Sequence, residues 1–313
     1  MTELFGYAKL IILYYMKKVA VQTTNEHIAD ESVPLTFIRI LGKPYLRITA
    51  LRCVASIFRH FFFLQYWAAL LPGRIHVSNV DHPLDGKIPF QPGKVNTYLD
   101  FVAFWVRTLG FLLRSCGRGI LERVRNFLET MGDLYAWAAL VYGKNLSTTE
   151  RPFYISRPRF LLIHALDPHL MCIPSLHVMV VIRTYTLFRE IAKSIGEEER
   201  FAPQVEELRL GASAITEAVL YIKQHSVNCI SAAMYAMTRF DPALFPPAEA
   251  ERFASGIFAN AKYPGKADAD ELRGYIVSLY RRFLSEGVSC EDWTEPLLNF
   301  LKERPFPKTL LIK

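Results

Sequence analysis

The chain is short of the features that most quickly assign a protein. Its five cysteines, at positions 53, 116, 172, 229 and 290, form no CxxC pair, so neither a zinc site nor a disulfide framework is indicated. No internal repeat, heptad run or low-complexity tract occurs. The Lys and Arg residues make no stripe interleaved with aromatics and there is no nucleic-acid motif, so nucleic acid is not an expected partner. Long charge-free apolar runs, the mark of an obvious bundle of transmembrane helices, are also missing.

What is present leans apolar. Of 313 residues, 51% are hydrophobic and 21% charged, mean hydropathy is +0.14, and the net charge of +7 suits phosphates or lipid head groups. That length holds one large domain or two unequal ones. The first 44 residues carry no legible chemistry. Their opening, MTELFGYAKLIILYYMKKVAVQ, has a short apolar core followed by its basic residues and no small-residue cleavage site, so a cleaved signal peptide is not expected.

From Cys53 onward, apolar helix-like stretches recur: Cys53 to Leu71, Asn96 to Leu113, Phe127 to Gly143, Phe160 into Phe188, and two either side of His225 between Leu210 and Met237. Each contains one or two ionisable residues, and hydropathy alone does not separate buried helices of a soluble all-α domain from membrane spans. The loops favour a multi-pass membrane reading. Arg114, Arg118, Arg123 and Arg125 fall between the second and third stretches, and Arg189, Lys193, Arg200 and Arg209 between the fourth and fifth, which places both loops on the cytoplasmic face. Residues 73–95, 144–159 and the turn at His225 then face outward.

After Phe240 the texture changes to soluble amphipathic helix. Leu272, Ile276, Leu279 and Phe283 mark one face, and Asp268 with Glu271 is placed as a capping pair at a helix start. The expected organisation is an amino-terminal segment, 1–44, a helical core, 45–240, and a helical extension, 241–313.

Three local patterns carry chemistry. KNLSTTERP puts Lys144 seven residues before Arg151-Pro152; CIPSLH puts His177 just after Pro174 and Ser175, where a helix is expected to begin; YIKQHSVNC puts His225 at the junction of two apolar segments. Arg forks onto two phosphate oxygens while Lys adds a mobile point charge. Two histidines suit attack on phosphorus and protonation of a leaving oxygen. His164, Asp167 and His169, in HALDPH, straddle a proline without a supporting ligand set, so a structural or gating role is preferred to a metal site.

In this order the residues resemble the type 2 phosphatidic acid phosphatase (PAP2) superfamily, the lipid phosphatase and haloperoxidase-like group. Lys144 to Pro152 matches its K-x6-RP motif and Pro174 to His177 its PSxH motif. Asp85 to Pro92 is similar to a D-x-x-IPF-x-P segment of some members, and the likeness covers about residues 50–240. A second Arg-Pro, Arg157-Pro158, has Glu150 where the Lys belongs. The third motif departs from the pattern: Ala218 and Val219 stand at its Ser-Arg pair and Cys229 at its Asp.

The resemblance implies an all-α fold with a six-helix PAP2-like bundle in the membrane, its site on the extracytoplasmic face. It implies phosphatase or phosphotransferase chemistry, without metal or cofactor, on a lipid or isoprenoid phosphate. His225 would form a phosphohistidine, His177 would protonate the leaving group, and Lys144, Arg151, Ser175 and the amides near Leu176 would hold the phosphoryl oxygens. Lys223 and Asn228 are candidate auxiliaries for the missing Arg and Asp. Two alternatives stand beside it: a catalytically impaired PAP2-like membrane protein binding lipid phosphates or partners, and a soluble acid phosphatase or haloperoxidase-like enzyme.

Overall fold

The computed structural model describes residues 26–71 and 73–305, so residues 1–25 of the amino-terminal segment lie outside it. Among the described residues the protein is all-α apart from one pair of short strands. Helix α1 (Val33–Leu41) is opened by Ser32, whose hydroxyl accepts the Leu35 amide, with Pro34 in its first turn. Helix α2 (Pro44–Ile57) continues through a π-helical turn, Phe58–Phe63, into α3 (Leu64–Leu70). After strand β1 (Val77–Asn79) come α4 (Val95–Leu99), α5 (Phe101–Ser115) and α6 (Leu121–Tyr142).

Strand β2 (Leu146–Thr148) pairs in parallel with β1, Val77 opposite Leu146. The chain then forms α7 (Pro158–Leu166), α8 (Leu176–Ser194), α9 (Glu198–Tyr221) and α10 (Val227–Phe240). Helices α11 (Pro247–Gly256), α12 (Lys266–Gly287) and α13 (Glu295–Lys302) complete the described chain.

Helices α8 and α10 are the core. The stretches Val178–Thr186 and Val227–Thr238 are buried throughout, as continuous apolar runs require when neighbours pack on every side. Helices α5, α6 and α9 surround α8, while α12 lies on α10. Leu272, Ile276, Leu279 and Phe283 form the buried stripe of α12, as their spacing predicts. The approach is close: a Cβ on Gly287 would stand 2.6 Å from the Tyr235 hydroxyl. Residues beyond 240 therefore share the same hydrophobic core, and Ser231 Oγ donates to the Ile276 carbonyl across the seam at 3.0 Å. The expected capping pair acts differently. Gly265 holds the cap position of α12 with no side-chain bond, and the carboxylates of Asp268 and Glu271 instead receive the Lys87 ammonium at 3.0 and 2.5 Å.

No described helix is long and apolar enough to cross a membrane. The polar residues inside the apolar stretches explain the difference from the expected spans. Asp100 separates α4 from α5 and pairs with Arg107 on α5, and α6 turns Glu122, Glu129 and Asp133 outward.

Candidate active site

Strand β2 draws the first two motifs together. Ser147 accepts the Cys172 amide on its carbonyl at 3.2 Å and the Ile173 amide on its hydroxyl at 2.7 Å, fixing the segment that leads into α8. Ser175 occupies the cap position of α8, yet its hydroxyl makes no cap bond and is buried without a partner. Intrahelical bonding starts with the Met179 amide on the Ser175 carbonyl at 3.0 Å. The amides of Leu176, His177 and Val178 thus belong to the unsatisfied first turn, an arrangement that favours anions.

His177 lies in that first turn, its ring stacked on Tyr98 at 4.5 Å and tilted against Phe101 at 4.2 Å. His225 lies in the turn between α9 and α10. That turn is made by Lys223 at φ 57° and by the Val219 carbonyl, which receives the amides of both Gln224 (3.0 Å) and His225 (3.2 Å). The two imidazoles meet: His225 Nε2 is 3.3 Å from His177 Nδ1, one nitrogen donating and the other accepting. His225 Nδ1 is buried without a partner. Burial, with His225 alongside, pushes His177 down to about 3, so its resting ring is neutral.

Arg151 reaches this centre indirectly. Its guanidinium donates to Gln224 Oε1 and to the Asp167 carbonyl, both at 3.3 Å, and lies 3.7 Å from the Asp167 carboxylate. Burial opposes the ionised form of Asp167, but His169 and Arg151 outweigh it and hold the carboxyl below the usual carboxylate range. His169 sits between Asp167 (3.8 Å), Thr149 Oγ1 (2.7 Å) and Cys172 Sγ (3.6 Å). Burial alone would lower His169; Cys172 and Asp167 raise it to about 9.

Cys229, which stands at the Asp position of the pattern the sequence resembles, is fully buried with its thiol against Cys172. Burial pushes the Cys229 thiol up. Burial would do the same to Cys172, but its contacts with Cys229, His169 and His225 hold that thiol well below its ordinary value. Gln65, Tyr98, Asp167, Cys172, His177 and His225 line a cavity of only about 20 Å³, room for one water. A larger cavity of about 480 Å³, lined in part by Lys94, Arg209, Glu217 and Tyr263, shares none of these residues. Among the described residues no group of three or more His, Cys, Asp or Glu is placed to hold a metal ion.

The remaining candidates are held elsewhere. Lys144 is half exposed and donates to Asp292 Oδ2 (2.7 Å) and Thr294 Oγ1 (3.1 Å), on the approach to α13. The segment between Lys144 and Arg151 is the reason: it contains strand β2, and seven residues of near-extended chain at about 3.3 Å each can carry the two cations up to ~23 Å apart. Lys223 donates its ammonium to the carbonyls of Asp85 and Ile88, stapling the turn to the IPF segment. Asn228 is buried, donating to the Val80 carbonyl at 3.0 Å and accepting from Tyr275 at 2.7 Å. Neither replaces the Arg or the Asp of the third motif at His225.

Sequence reading missed Asp85 as a working residue. Its carboxylate accepts the Val227 amide at 2.9 Å and the His82 amide at 2.8 Å, capping α10 from outside the helix. The signal was its place at the head of the D-x-x-IPF-x-P segment. Gln224, which links Arg151 to the turn, had no signal beyond standing next to His225.

No protein-family model, curated protein or solved structure matches this chain.

Proposed function

We propose that the protein transfers the phosphoryl group of a lipid or isoprenoid phosphate ester through His225, within a helical core of PAP2-like design and without a metal. The observation that carries this reading is the meeting of His225 Nε2 and His177 Nδ1 at 3.3 Å, between residues 48 apart in sequence, beside the unsatisfied first turn of α8.

In this chemistry His225 Nε2 attacks phosphorus as the bond from phosphorus to the ester oxygen breaks. His177 gives its proton to the departing alkoxide. Water, or an alcohol, then attacks the phosphohistidine while His177 takes the incoming proton, and the phosphorus–nitrogen bond breaks. Amides at the start of α8, with Arg151 and Ser175, stabilise the equatorial oxygens. The resting centre is closed and His177 is neutral, so an arriving phosphate must part the two rings, and its negative charge must raise His177 before it can serve as an acid.

A second reading has its own support. Lys144 is engaged by Asp292, Arg151 is partly neutralised by Asp167, and His225 Nδ1 lacks an orienting carboxylate. These observations favour a protein that binds phosphate esters without turning them over.

Phosphate release from a panel of lipid phosphates and pyrophosphates, with EDTA present, separates the two. Turnover that His225→Ala lowers by at least about a thousandfold and His177→Ala by about a hundredfold supports the histidine mechanism. Turnover untouched by His225→Ala overturns it, and binding without turnover selects the second reading.

A further inference from the structure

The described surface is uneven in apolarity. Of the twenty-two exposed large apolar side chains among the described residues, fourteen lie between Leu35 and Leu71 on α1, α2, the π turn, α3 and the residue that ends α3. Of these fourteen, Ile38 (67% exposed), Phe63 (67%) and Leu70 (78%) are the most open, with Ile48, Leu51 and Phe58 close behind. The spacing of 48, 51, 55, 58, 62, 66 and 69 is that of one helix face. The opposite face packs on α6, and Ser56 Oγ donates to the Gly132 carbonyl at 2.7 Å. A soluble monomer rarely leaves so much apolar surface in one region.

The charge pattern of the same segment states what the face fits. Residues 33–71 hold five Lys and Arg (Arg39, Lys43, Arg47, Arg52 and Arg59) and no Asp or Glu. Arg52 and Arg59 are exposed among the apolar side chains, where long cationic chains lay their stems along apolar surface and lift their heads to anions. Tyr45, Tyr66 and Trp67 add aromatic groups of the kind that settle at a membrane interface. The outer face of α12 is the contrast: there Arg281 pairs with Glu251 and Arg282 with Glu286.

We infer that α1 to α3 form an in-plane docking face for an anionic lipid surface, with Ile48, Leu51, Phe58 and Phe62 in the acyl boundary and Arg52 and Arg59 at the phosphates. The face belongs to the same helical run that walls the histidine cavity. Phe61 and Gln65 line that cavity, and Gln65 Nε2 donates to Asp167 Oδ1 at 3.1 Å. Docking therefore brings the histidines next to the lipid layer. That last link rests on the proposed phosphoryl transfer; the docking itself rests on the surface alone.

The experiment is vesicle flotation of the full chain, with phosphatidylcholine vesicles and with the same vesicles containing about 30% phosphatidylserine, at low and high salt. Wild type is expected to float with the anionic vesicles at least about tenfold more than with the neutral ones, and less at high salt. The variant Leu51→Glu/Phe58→Glu is expected to lose flotation, and Arg52→Glu/Arg59→Glu to lose the preference for anionic vesicles. All four positions are exposed, and circular dichroism of each variant checks that the fold is kept.

No flotation, equal flotation of the variants, or loss of a dimer rather than of vesicle binding in Leu51→Glu/Phe58→Glu overturns the inference, the last by assigning the face to a second copy. Flotation that appears only after removal of residues 2–25 overturns it for the intact chain, by assigning the face to that segment. Because flotation needs no turnover, it succeeds or fails independently of the histidine chemistry.

Discussion

Two ion pairs of nearly equal length show how differently the inner layer and the carboxy-terminal seam of this molecule are built. Arg183 on α8 meets Asp241 at 2.5 Å with its side chain only 8% exposed, whereas Lys144 meets Asp292 at 2.7 Å with half of its side chain in solvent. In the inner layer polar groups stand among apolar neighbours, where leaving one unanswered, as at Ser175 Oγ and His225 Nδ1, is costly; His177, Arg151 and Asp167 belong to that regime. At the Lys144–Asp292 pair, water answers whatever the protein does not. Distance alone would rank the two pairs together, and burial separates them.

The sharpest way to break this comparison is to cut the inner pair. Asp241→Ala leaves the Arg183 guanidinium buried without its carboxylate and is expected to destabilise the fold by about 3–5 kcal/mol in urea or thermal unfolding. A loss below about 1 kcal/mol would mean that water reaches Arg183 and that the layers do not differ.

Next in size is the functional difference between the two ends of one motif. Arg151→Ala removes the cation tied to Gln224 and Asp167 and is expected to lower phosphoryl transfer by about a hundredfold. Its conservative partner, Arg151→Lys, is expected to recover only a small part, since a point charge cannot span two acceptors.

The pH dependence of stability sharpens the picture from both sides. His169 is raised to about 9 when folded, so its contribution is fully present below about 6.5 and is lost as pH rises through 9. His177 is lowered to about 3 when folded, so the unfolded chain takes up the proton first and stability falls as pH drops below about 6.5 toward 3. Unfolding free energy should therefore peak near pH 6 to 7. His177→Gln is expected to flatten the acid side, and Asp167→Asn, which removes one of the groups that raise His169, the alkaline side. Unchanged slopes in both variants would show that neither ring is buried in its assigned form.

Helix content and the face of α12 were legible because apolar periodicity reports burial directly. The meeting of His177 with His225 was legible as an ordered pair of motifs. What sequence spacing could not show was direction. Lys144 and Arg151 sit in one motif, yet a strand between them sends one to the histidines and the other to Asp292. Lys223 looked like a spare cation, but at φ 57° its side chain turns to the carbonyls of Asp85 and Ile88. Asp268 and Glu271 had capping spacing, but a long-range partner, Lys87, took both carboxylates. In each case a contact more than a hundred residues away decided the outcome.

The smallest expected effect is the other half of the opening comparison. Lys144 holds the Asp292 carboxyl down to about 2, so that carboxylate is ionised at neutral pH, but both partners are substantially exposed and salt screens what they gain. Lys144→Ala and Asp292→Ala are each expected to cost about 0–1 kcal/mol, and the two together no more than the larger of them. Phosphoryl transfer in Lys144→Ala should stay within about threefold of wild type, against the hundredfold assigned to Arg151. A loss in Lys144→Ala as large as that in Arg151→Ala would mean that the lysine leaves Asp292 and swings to the substrate during turnover, which would restore it to the phosphate site and make the seam with α13 part of the reaction.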